Sequence, residues 1–500
     1  MTFAESLTLG AYFVVLIILA VYGWHRYYLV YLYLSNRGSA PPPGPPPDPL
    51  PTVTIQLPLF NEMYVADRLI DAVCRIDYPH DRFEIQVLDD STDETRSIAS
   101  LAVQRWAEQG IDIKYIHRRD RRGFKAGALE EGLRAARGEF VGIFDADFIP
   151  APDFLRRLMP HFSDPRVGLV QARWEHINAD YSLLTRIQAI LLDGHFVLEH
   201  GARHRSGRFF NFNGTAGVWR RLAIEEAGGW QHDTLTEDLD LSYRAQLRGW
   251  RFVFVPDLVA PAEVPVEMNA FKSQQHRWAK GSIQTCRKLL PQILRSNLPF
   301  AVKAEAFFHL TANFNYILMC LLSVLMFPSM VIRYNMGWYA MLLVDIPLFF
   351  AATFSFCTFY TVCQREVHRN WRARIRYVPL LMAVGIGLSV NNARAVLEAL
   401  FGRTSEFART PKYRIEAYAD EWAGKKYRQS VAVQPFVELA LGLYFTSIVF
   451  YALANRIYGT LPFLVLFQVG FFYTGLLSII QQCAGEPVVA HRLQPDRQGS

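Results

Sequence analysis

Pairs of acidic residues stand at the ends of two apolar runs, in positions suited to metal and phosphate chemistry. Asp89 and Asp90 end one run, and Asp145 and Asp147 end another as a D-x-D pair. Mg²⁺ and Mn²⁺ prefer oxygen ligands and usually share substrate phosphates. Such a pair can therefore hold a cation that neutralises a departing nucleoside diphosphate. The structural alternatives are a solvated turn for the D-x-D pair and a helix N-cap for residues 89–93.

Two further motifs carry groups that suit a sugar substrate. In TED (236–238), Asp238 could be the general base that an inverting transfer needs within hydrogen-bond reach of the acceptor hydroxyl. In QQHRW (274–278), Arg277 offers bidentate contacts to a diphosphate, and Trp278 offers an aromatic face to a sugar ring. The structural alternatives are a helix N-cap for TED and a membrane-interface anchor for QQHRW.

The motif FNGTAGVWR (212–220) could bring backbone groups close to a substrate. Gly214 and Gly217 permit close approach of the chain, and we expect the amides around Gly214 and Thr215 to meet hydroxyl groups of an acceptor. A packing turn is the alternative. The histidines and the six cysteines have no ligand spacing, so we expect them to be packing or exposed residues; the histidines considered are His161, His176, His195 and His200.

An alternation of short apolar strands and charged helices must position these groups. Strands are predicted at 53–60, 83–90, 111–117 and 139–147, with helices at 65–76, 95–109 and 125–136. This βαβ alternation predicts an α/β fold with a mostly parallel sheet, whose functional residues lie at the carboxyl ends of its strands. The acidic pairs fall at two such ends.

Long apolar runs on both sides of this region predict membrane-spanning helices. Each approaches or exceeds the roughly 20 residues that cross a bilayer; the runs are 9–34, 307–332, 338–363, 434–454 and 461–480. The first is longer than the apolar core of a signal peptide and lacks a cleavage site, which favours an uncleaved anchor.

Basic residues set the predicted orientation. Five arginines between 365 and 376 place that loop in the cytoplasm by the positive-inside rule. The region between the first two runs is then also cytoplasmic, in a multi-pass protein of the inner (plasma) membrane with its N-terminus outside. Because the basic segment 401–432 must also stay inside, we interpret 377–400 as an interfacial or re-entrant helix. Five spans and a cytoplasmic C-terminus result.

The predicted organisation has six parts. They are an N-terminal transmembrane helix (1–38), a Pro-rich linker (39–51), a cytoplasmic catalytic domain (52–300), two transmembrane helices with a basic loop (301–376), an interfacial helix and following segment (377–432), and two transmembrane helices with a tail (433–500).

The motifs, in this order, resemble those of the family-two processive glycosyltransferases of the cellulose-synthase superfamily. The resemblance is greatest to the A-type cellulose-synthase-like (gluco)mannan synthases, followed by the C-type glucan synthases. It covers about 230 residues through QLPLFNE (56–62), VLDDSTDET (87–95), KAGALEEG (125–132), FDADF (144–148), QARW (171–174), FNGTAGVWR (212–220), TEDLDL (236–241) and QQHRW (274–278).

The resemblance implies a GT-A-type nucleotide-sugar-binding domain joined to an α-helical transmembrane domain. On the donor side, it implies that Asp89 and Asp90 bind the nucleotide and that Lys125 contacts the diphosphate. It implies that Asp147, with Asp145, binds Mg²⁺ or Mn²⁺. Asp145 is also expected to contact the nucleotide-sugar.

On the acceptor side, the resemblance implies that Asp238 is the catalytic base and that Trp278 stacks beneath the acceptor sugar. Arg277 is expected to contact the diphosphate. The segment FARTPK (407–412) is similar to the F-x-V-T-x-K gating loop of cellulose synthases, with Arg409 in place of the usual Val.

The predicted function is transfer of hexose from a nucleotide-sugar to a growing β-linked glycan, coupled to export of the chain. UDP-glucose and GDP-mannose are both admissible donors: glucan-related relatives favour UDP-glucose slightly, whereas the KAGAL segment indicates mannan synthases. The predicted partners are the donor, the glycan acceptor and the lipid bilayer. Lys and Arg exceed Asp and Glu by only six and form no aromatic-interleaved stripe, which argues against nucleic acid.

Two alternative functions fit the same motifs. A glycolipid synthase would use the same nucleotide site and add sugar to a lipid acceptor. A transporter or scaffold would use a non-catalytic domain to bind nucleotide, but intact Asp147, Asp238 and Arg277 argue against it.

Overall fold

The computed structural model describes residues 1–39, 42–337, 339–403, 409–427 and 433–484, without the side chains of 339–346 and 484. Several sequence predictions lie partly outside the described residues. They concern Ala40 and Pro41 of the Pro-rich linker, Phe407 and Ala408 of the FARTPK segment, Arg428 of the basic segment, and the tail 485–500.

A seven-stranded sheet forms the centre of the region between residues 53 and 262. Its order is β3-β2-β1-β4-β6-β5-β7, and only the pairs that β6 makes with β4 and β5 are antiparallel. The predicted mostly parallel GT-A-type sheet is therefore confirmed. The strands are β1 (Val53–Leu59), β2 (Phe83–Asp89), β3 (Ile113–His117), β4 (Phe140–Ile143), β5 (Val167–His176), β6 (Gly217–Arg220) and β7 (Arg251–Ala262).

Helices cover both faces of the sheet, which is why its central strands are buried on both sides. The three helices predicted between the first strands agree with the structure within two residues at each end. The helices from the N-terminus to residue 295 are α1 (Phe3–Ser35), α2 (Ala66–Cys74), α3 (Thr95–Ala107), α4 (Phe124–Ala135), α5 (Phe154–Leu158), α6 (Leu183–Asp193), α7 (Gly201–Arg205), α8 (Arg221–Glu226), α9 (Glu237–Leu247) and α10 (Met268–Arg295).

Buried polar pairs fix the register of β1 against β2. The hydroxyl of Thr54 donates to Glu84 at 2.7 Å, and the amide of Gln56 donates to Gln86 at 3.1 Å, each across directly opposed positions. A slip of one residue would leave these groups unpaired in the core. The register brings the carboxyl ends of the two strands level.

Strand β4 is shorter than predicted, because it ends at Ile143 and not at residue 147. The backbone N–H of Asp145 donates to the side-chain hydroxyl of Thr215 at 2.9 Å, not to a neighbouring strand. The D-x-D pair consequently lies on the loop that leaves the sheet.

Eight α-helices, most of them apolar, follow α10 in the described part of the chain. They are α11 (Phe300–Thr311), α12 (Asn315–Asn335), α13 (Tyr339–Val367), α14 (Trp371–Arg374), α15 (Val378–Gly387), α16 (Ser389–Leu400), α17 (Gln434–Ala454) and α18 (Leu461–Ala484). Among the described residues, four helical segments are long and apolar enough to cross a membrane: Phe3–Ser35, Phe300–Asn335, Gln434–Ala454 and Tyr458–Cys483. Part of the predicted span 338–363 lies outside the described side chains.

The region predicted to be an interfacial or re-entrant helix is bent. Trp371–Gly387 and Ser389–Leu400 meet at 44°, a geometry compatible with a broken span or a re-entrant loop. The interpretation of 377–400 as interfacial or re-entrant therefore stays a prediction.

A buried ion pair ties α10 to the apolar helices. The ammonium group of Lys272 donates to Glu438 at 2.5 Å and to the hydroxyl of Ser478 at 2.8 Å. The side chains of Lys272 and Glu438 are both 0% exposed. Because α10 also carries the QQHRW motif, this pair sets where that motif stands relative to α17 and α18.

Replacing Lys272 by Met is expected to destabilise the protein strongly, because Glu438 would keep a buried charge without a counterion. Loss of one partner of such a pair costs about 3–5 kcal/mol, which corresponds to a melting temperature lower by roughly 6–20 °C. Thermal unfolding in detergent, followed by intrinsic fluorescence, measures the shift.

The double variant K272M/E438L is expected to recover most of the lost stability, since neither charge then remains buried. Lys426→Met is a matched control, because Lys426 pairs with Glu94 on the surface and both side chains are more than half exposed. Equal melting temperatures for Lys272→Met and Lys426→Met would contradict the assignment.

Candidate active site

The carboxyl ends of β1, β2 and β4 open into one cleft. It contains about 1180 Å³ of unfilled space, part of it open to solvent. Most of the residues singled out in the sequence line it, namely Asp90, Lys125, Asp145, Asp147, Gly214, Asp238, Arg277 and Trp278. The fold thus gathers groups that are up to 188 positions apart in the chain (278 − 90).

Two lysines hold the D-x-D pair. Lys125 donates to Asp145 Oδ1 at 2.5 Å, and Lys412 donates to Asp147 Oδ2 at 2.7 Å. The backbone N–H of Glu263 also donates to Asp147, at 3.1 Å. Each carboxylate therefore has a cationic partner and stands at the wall of the cleft.

The donor set of this wall suits a hard divalent cation. The side chain of Glu62 lies on the same wall, and burial, together with the charges of Asp147 and Asp145, raises its pKa to about 7. No cluster of three His, Cys, Asp or Glu side chains with metal-site geometry occurs in the described part of the chain. A cation held by Asp145 and Asp147 would complete its shell from substrate phosphate and water, as Mg²⁺ and Mn²⁺ commonly do.

Asp238 faces the cleft from the first turn of α9. Its Oδ1 accepts the N–H of Leu239 at 2.8 Å, which leaves Oδ2 on the side of Gly214. Burial and the neighbouring Glu237 raise the pKa of Asp238 to about 7, against the opposing charges of Lys125 and Arg277. A carboxylate with a pKa in this range is suited to act as a general base near neutral pH.

Gly214 separates Asp238 from the D-x-D pair and allows the close spacing. Its φ of +80° is in the left-handed region, and a Cβ there would lie 3.0 Å from Asp238 Oδ2. Its carbonyl accepts a hydrogen bond from Lys125 at 2.9 Å. Lys125 thereby links the loop of Gly214 to Asp145.

Helix α10 brings Arg277 and Trp278 to the cleft side by side. Burial lowers the pKa of Arg277, against the attraction of Glu237, Asp238 and Asp145. Its guanidinium group still carries a full charge at neutral pH, since the ordinary value is above 12. Trp278 is half-buried, so part of its indole ring is open to the cleft.

Two predicted site residues lie behind the cleft. Asp89 is fully buried, and its carboxylate accepts the hydroxyl of Tyr115 at 2.5 Å and the N–H of Ser91 at 3.0 Å. Thr215 is also fully buried, and its hydroxyl orients Asp145. Neither residue lines the cleft, and their roles as nucleotide and acceptor ligands stay predictions.

Asp90 does line the cleft, but Arg118 holds it from behind. The guanidinium group of Arg118 donates to its two carboxylate oxygens at 2.7 and 2.5 Å. Arg118 therefore fixes the orientation of the Asp90 carboxylate.

Several residues line the cleft although the sequence predicts no role for them. Glu62 ends the motif QLPLFNE (56–62), but the motif alone does not show whether its side chain faces the cleft. Arg409, the departure from the gating-loop pattern, forms an ion pair with Glu62 and lines the cleft with Lys412. His176 and Asn213 also line it; no ligand spacing marks either, and only the folded chain identifies them.

Known proteins resemble the region of the chain that forms most of this cleft. Residues 51–281 match the family model described as Glycosyltransferase like family 2. The chain is 49% identical over 249 residues to glucomannan 4-beta-mannosyltransferase 2 of Arabidopsis thaliana, and 48% identical over 251 residues to glucomannan 4-beta-mannosyltransferase 1 of Oryza sativa subsp. japonica. The alignments cover 49% of this chain and 47% and 48% of those relatives, so the chain spans about half the length of the curated relatives it matches.

A solved structure shares the fold. It is the mannosyltransferase PcManGT from Pyrobaculum calidifontis in complex with GDP-Man and Mn²⁺, with a TM-score of 0.50, 22% identity, and coverage of 80% of this chain and 99% of that one. The predicted GT-A-type fold is therefore confirmed, and apolar helices are attached to it. Residues 51–281 therefore resemble the family-2-like glycosyltransferases, and the proteins similar over this region include the two glucomannan 4-beta-mannosyltransferases named above.

Proposed function

We propose that this protein is an inverting hexosyltransferase that extends a β-linked glycan from a nucleotide-sugar, with GDP-mannose as the donor. The observation that carries the proposal is the placement of Asp238 and the Asp145/Asp147 pair in one cleft, separated by Gly214 and Lys125. Inverting transfer needs this arrangement, because the base and the leaving diphosphate act on opposite sides of the sugar.

In the proposed reaction, Asp238 Oδ2 accepts the proton of the acceptor hydroxyl as its oxygen bonds to the anomeric carbon of the donor. The bond between that carbon and the β-phosphate oxygen breaks, and the nucleoside diphosphate leaves with the electron pair. Arg277 and Lys125 bind its phosphates, and Trp278 stacks on the acceptor ring. A divalent cation on Asp145 and Asp147 supplies Lewis-acid stabilisation of the leaving group.

The choice of GDP-mannose over UDP-glucose rests on the relatives. Several curated proteins that are similar to this chain over about 250 residues are named glucomannan 4-beta-mannosyltransferases. Their identity to this chain is 45–49%. The slight preference for UDP-glucose that we drew from the sequence is therefore reversed in the proposal.

We further propose that the apolar helices hold the enzyme in the plasma membrane, with the catalytic domain in the cytoplasm, and let the glycan leave between them. The support is the contact of α10 with α16 and α18 through buried polar groups: Asn391 donates to the Lys272 carbonyl at 2.8 Å, and Lys272 donates to Ser478 at 2.8 Å. A glycolipid synthase is the alternative, because the same cleft at a membrane face would also accept a lipid-linked sugar.

Transfer assays in lipid nanodiscs test the proposal. The purified protein is incubated with Mn²⁺ and radiolabelled GDP-mannose or UDP-glucose, and the product is digested with mannanase or glucanase. We expect a polymeric, mannanase-sensitive product from GDP-mannose. A glucanase-sensitive product from UDP-glucose would overturn the donor, an organic-extractable product would favour the glycolipid synthase, and no transfer from either donor would overturn the proposal.

Replacing Lys412 by Met is expected to strengthen the binding of Mn²⁺ in the absence of nucleotide by about tenfold, an amount equal to 1.4 kcal/mol. The ammonium group of Lys412 lies 2.7 Å from Asp147 Oδ2, so a cation that binds Asp147 must displace it. Titration followed by the electron paramagnetic resonance of free Mn²⁺ measures the affinity.

Lys426→Met is the matched control, because Lys426 belongs to the same segment but pairs with Glu94 outside the cleft. An unchanged or weaker affinity for Mn²⁺ in Lys412→Met would show that the two cations do not share the site.

A further inference from the structure

We propose that His195 positions the side chain of Asn213 so that its carbonyl oxygen receives a hydroxyl group of the acceptor sugar beside Asp238. This inference rests on the proposed glycosyltransferase function and adds a positioning residue to it. His195 has no ligand spacing in the sequence, and its importance follows from one contact across the fold.

The contact joins the two side chains directly. Asn213 Nδ2 lies 2.9 Å from His195 Nε2. The backbone N–H of Asn213 donates to Gln171 Oε1 at 3.3 Å, which fixes the chain at that point. Asn213 lines the cleft and precedes Gly214, where an added Cβ would lie 3.0 Å from Asp238 Oδ2.

Glu199 decides which nitrogen of His195 carries the proton. Its Oε2 lies 3.0 Å from His195 Nδ1. Burial alone would raise the pKa of Glu199, but the charge of Arg203 lowers it below its usual range, so Glu199 remains an ionised group that only accepts hydrogen bonds. In the neutral ring, Nδ1–H then donates to Glu199 and Nε2 accepts.

This tautomer fixes the orientation of the Asn213 amide. Since His195 Nε2 accepts, the NH₂ group of Asn213 must face it, and the carbonyl oxygen Oδ1 must face away. Oδ1 is buried and has no hydrogen-bond partner among the described residues. A buried acceptor without a donor is costly, and a hydroxyl that donates to it on binding removes that cost.

A sugar hydroxyl is the ligand group that fits this oxygen. The cleft that Asn213 lines is also lined by the aromatic side chains of Trp174 and Trp278 and by Asp238. Aromatic faces stack on pyranose rings. A carbonyl oxygen can only accept a hydrogen bond, so it needs a donor such as a hydroxyl group of the sugar. The acceptor is the substrate that must place a hydroxyl near Asp238.

Rigid surroundings hold His195 in place. It lies on a π-helical segment, Gly194–His200, and its ring packs edge-on against His200 with centroids 4.5 Å apart. Irregular helical turns of this kind often occur at functional sites. Behind Glu199, Arg203 donates to Glu199 at 3.3 Å and to Glu305 at 3.0 Å, with its side chain only 2% exposed.

The chain of contacts reaches the first apolar helix, because His25 Nε2 lies 2.9 Å from Glu305 Oε2. The orientation of Asn213 is therefore tied to helices α1 and α11 as well as to the sheet.

The test compares the variants His195→Leu, His195→Gln and Asn213→Ala. Leu cannot accept a hydrogen bond, whereas the amide oxygen of Gln can. We expect His195→Leu to raise the KM for a β-1,4-mannohexaose acceptor by about tenfold, with the KM for GDP-mannose within about twofold of the parent value, and His195→Gln to recover most of the loss. Binding of mannohexaose in the presence of GDP and Mn²⁺, measured by calorimetry, should weaken by a similar factor.

The double variant His195→Leu/Asn213→Ala is expected to match Asn213→Ala alone, because His195 acts only through Asn213. His80→Leu, an exposed histidine outside the cleft, is the control. If His195→Leu fails to fold, the variants Asn213→Ala and His195→Gln still test the inference, because their affinities for the acceptor can be compared with that of the parent protein.

Additive effects in the double variant, or an unchanged acceptor KM and affinity in His195→Leu, would overturn the inference and leave the proposed function intact. Mannohexaose binding that depends on His195, without transfer from any donor, would overturn the proposed function alone. A parent protein that neither binds mannohexaose nor transfers sugar to it would overturn both.

Discussion

Replacing Asp238 by Asn is expected to lower kcat by about 10²–10⁴-fold, the contribution usual for a general base, while nucleotide affinity stays within a few-fold of the parent value. Asn has the shape of Asp, and its Oδ1 can still accept the N–H of Leu239 that holds Asp238 now. It cannot take a proton from the acceptor hydroxyl. The loss should therefore fall on the chemical step, measured as the initial rate of mannose transfer at saturating donor and acceptor.

The pH dependence of the parent enzyme belongs to the same prediction. Because burial and Glu237 raise the pKa of Asp238 to about 7, the carboxyl group is protonated below that pH and cannot accept another proton. We expect kcat/KM to fall by about tenfold per pH unit below pH 7 and to level off above it. The rising limb should be absent from the residual activity of Asp238→Asn.

Asp233→Asn is the matched control, since Asp233 precedes the same helix but is more than half exposed and pairs with Lys288. It should retain the parental rate and pH profile. Transfer by Asp238→Asn at the parental rate would show that another group is the base.

Replacing Asp147 by Asn is expected to reduce kcat/KM by about 10²–10³-fold. The remaining activity should no longer depend on the concentration of Mn²⁺. Lewis-acid stabilisation of a leaving group contributes several kcal/mol, and each 1.36 kcal/mol corresponds to a factor of ten in rate. Asn keeps an oxygen for Lys412 and for the N–H of Glu263, both of which now donate to Asp147, but it removes the negative charge that a cation requires. Rates measured across a series of Mn²⁺ concentrations test the loss.

Asp153→Asn serves as the control for this variant, because Asp153 follows the D-x-D pair by six positions (153 − 147) and its side chain is 56% exposed in a surface ion pair with Arg157. A parental response of Asp147→Asn to Mn²⁺ would remove Asp147 from the metal site. If Asp147→Asn still binds Mn²⁺ but no longer transfers sugar, the role of Asp147 is to hold Lys412, which would then position a phosphate group of the donor.

Asp89 and Asp90 face different surroundings, and the sequence does not predict this difference. The apolar run before them predicted the end of a strand, and the strand does end at Asp89. Successive residues point in opposite directions at such an end. The pattern could not decide which of the two carboxylates would face the cleft, and the structure turns Asp89 toward Tyr115 and Asp90 toward the cleft.

Lys412 and His195 illustrate contacts that no local pattern reveals. Lys412 meets Asp147 across 265 positions of sequence, and it reaches the cleft because the segment 409–416 packs beside β7 through Glu263, which accepts from the backbone of Tyr413 at 3.3 Å. His195 meets Asn213 only because the π-helical segment lies beside the loop that follows α7.

The sequence by itself determined the alternation of strands and helices, the apolar helices, and the chemical groups that end the strands. These properties depend on the periodicity and type of neighbouring residues. The tertiary structure decided which carboxylates face the cleft, which cations hold them, and which histidine contacts the side chain of Asn213. Such contacts join residues far apart in the chain, and their geometry is set by the packing of whole elements, which local periodicity does not encode.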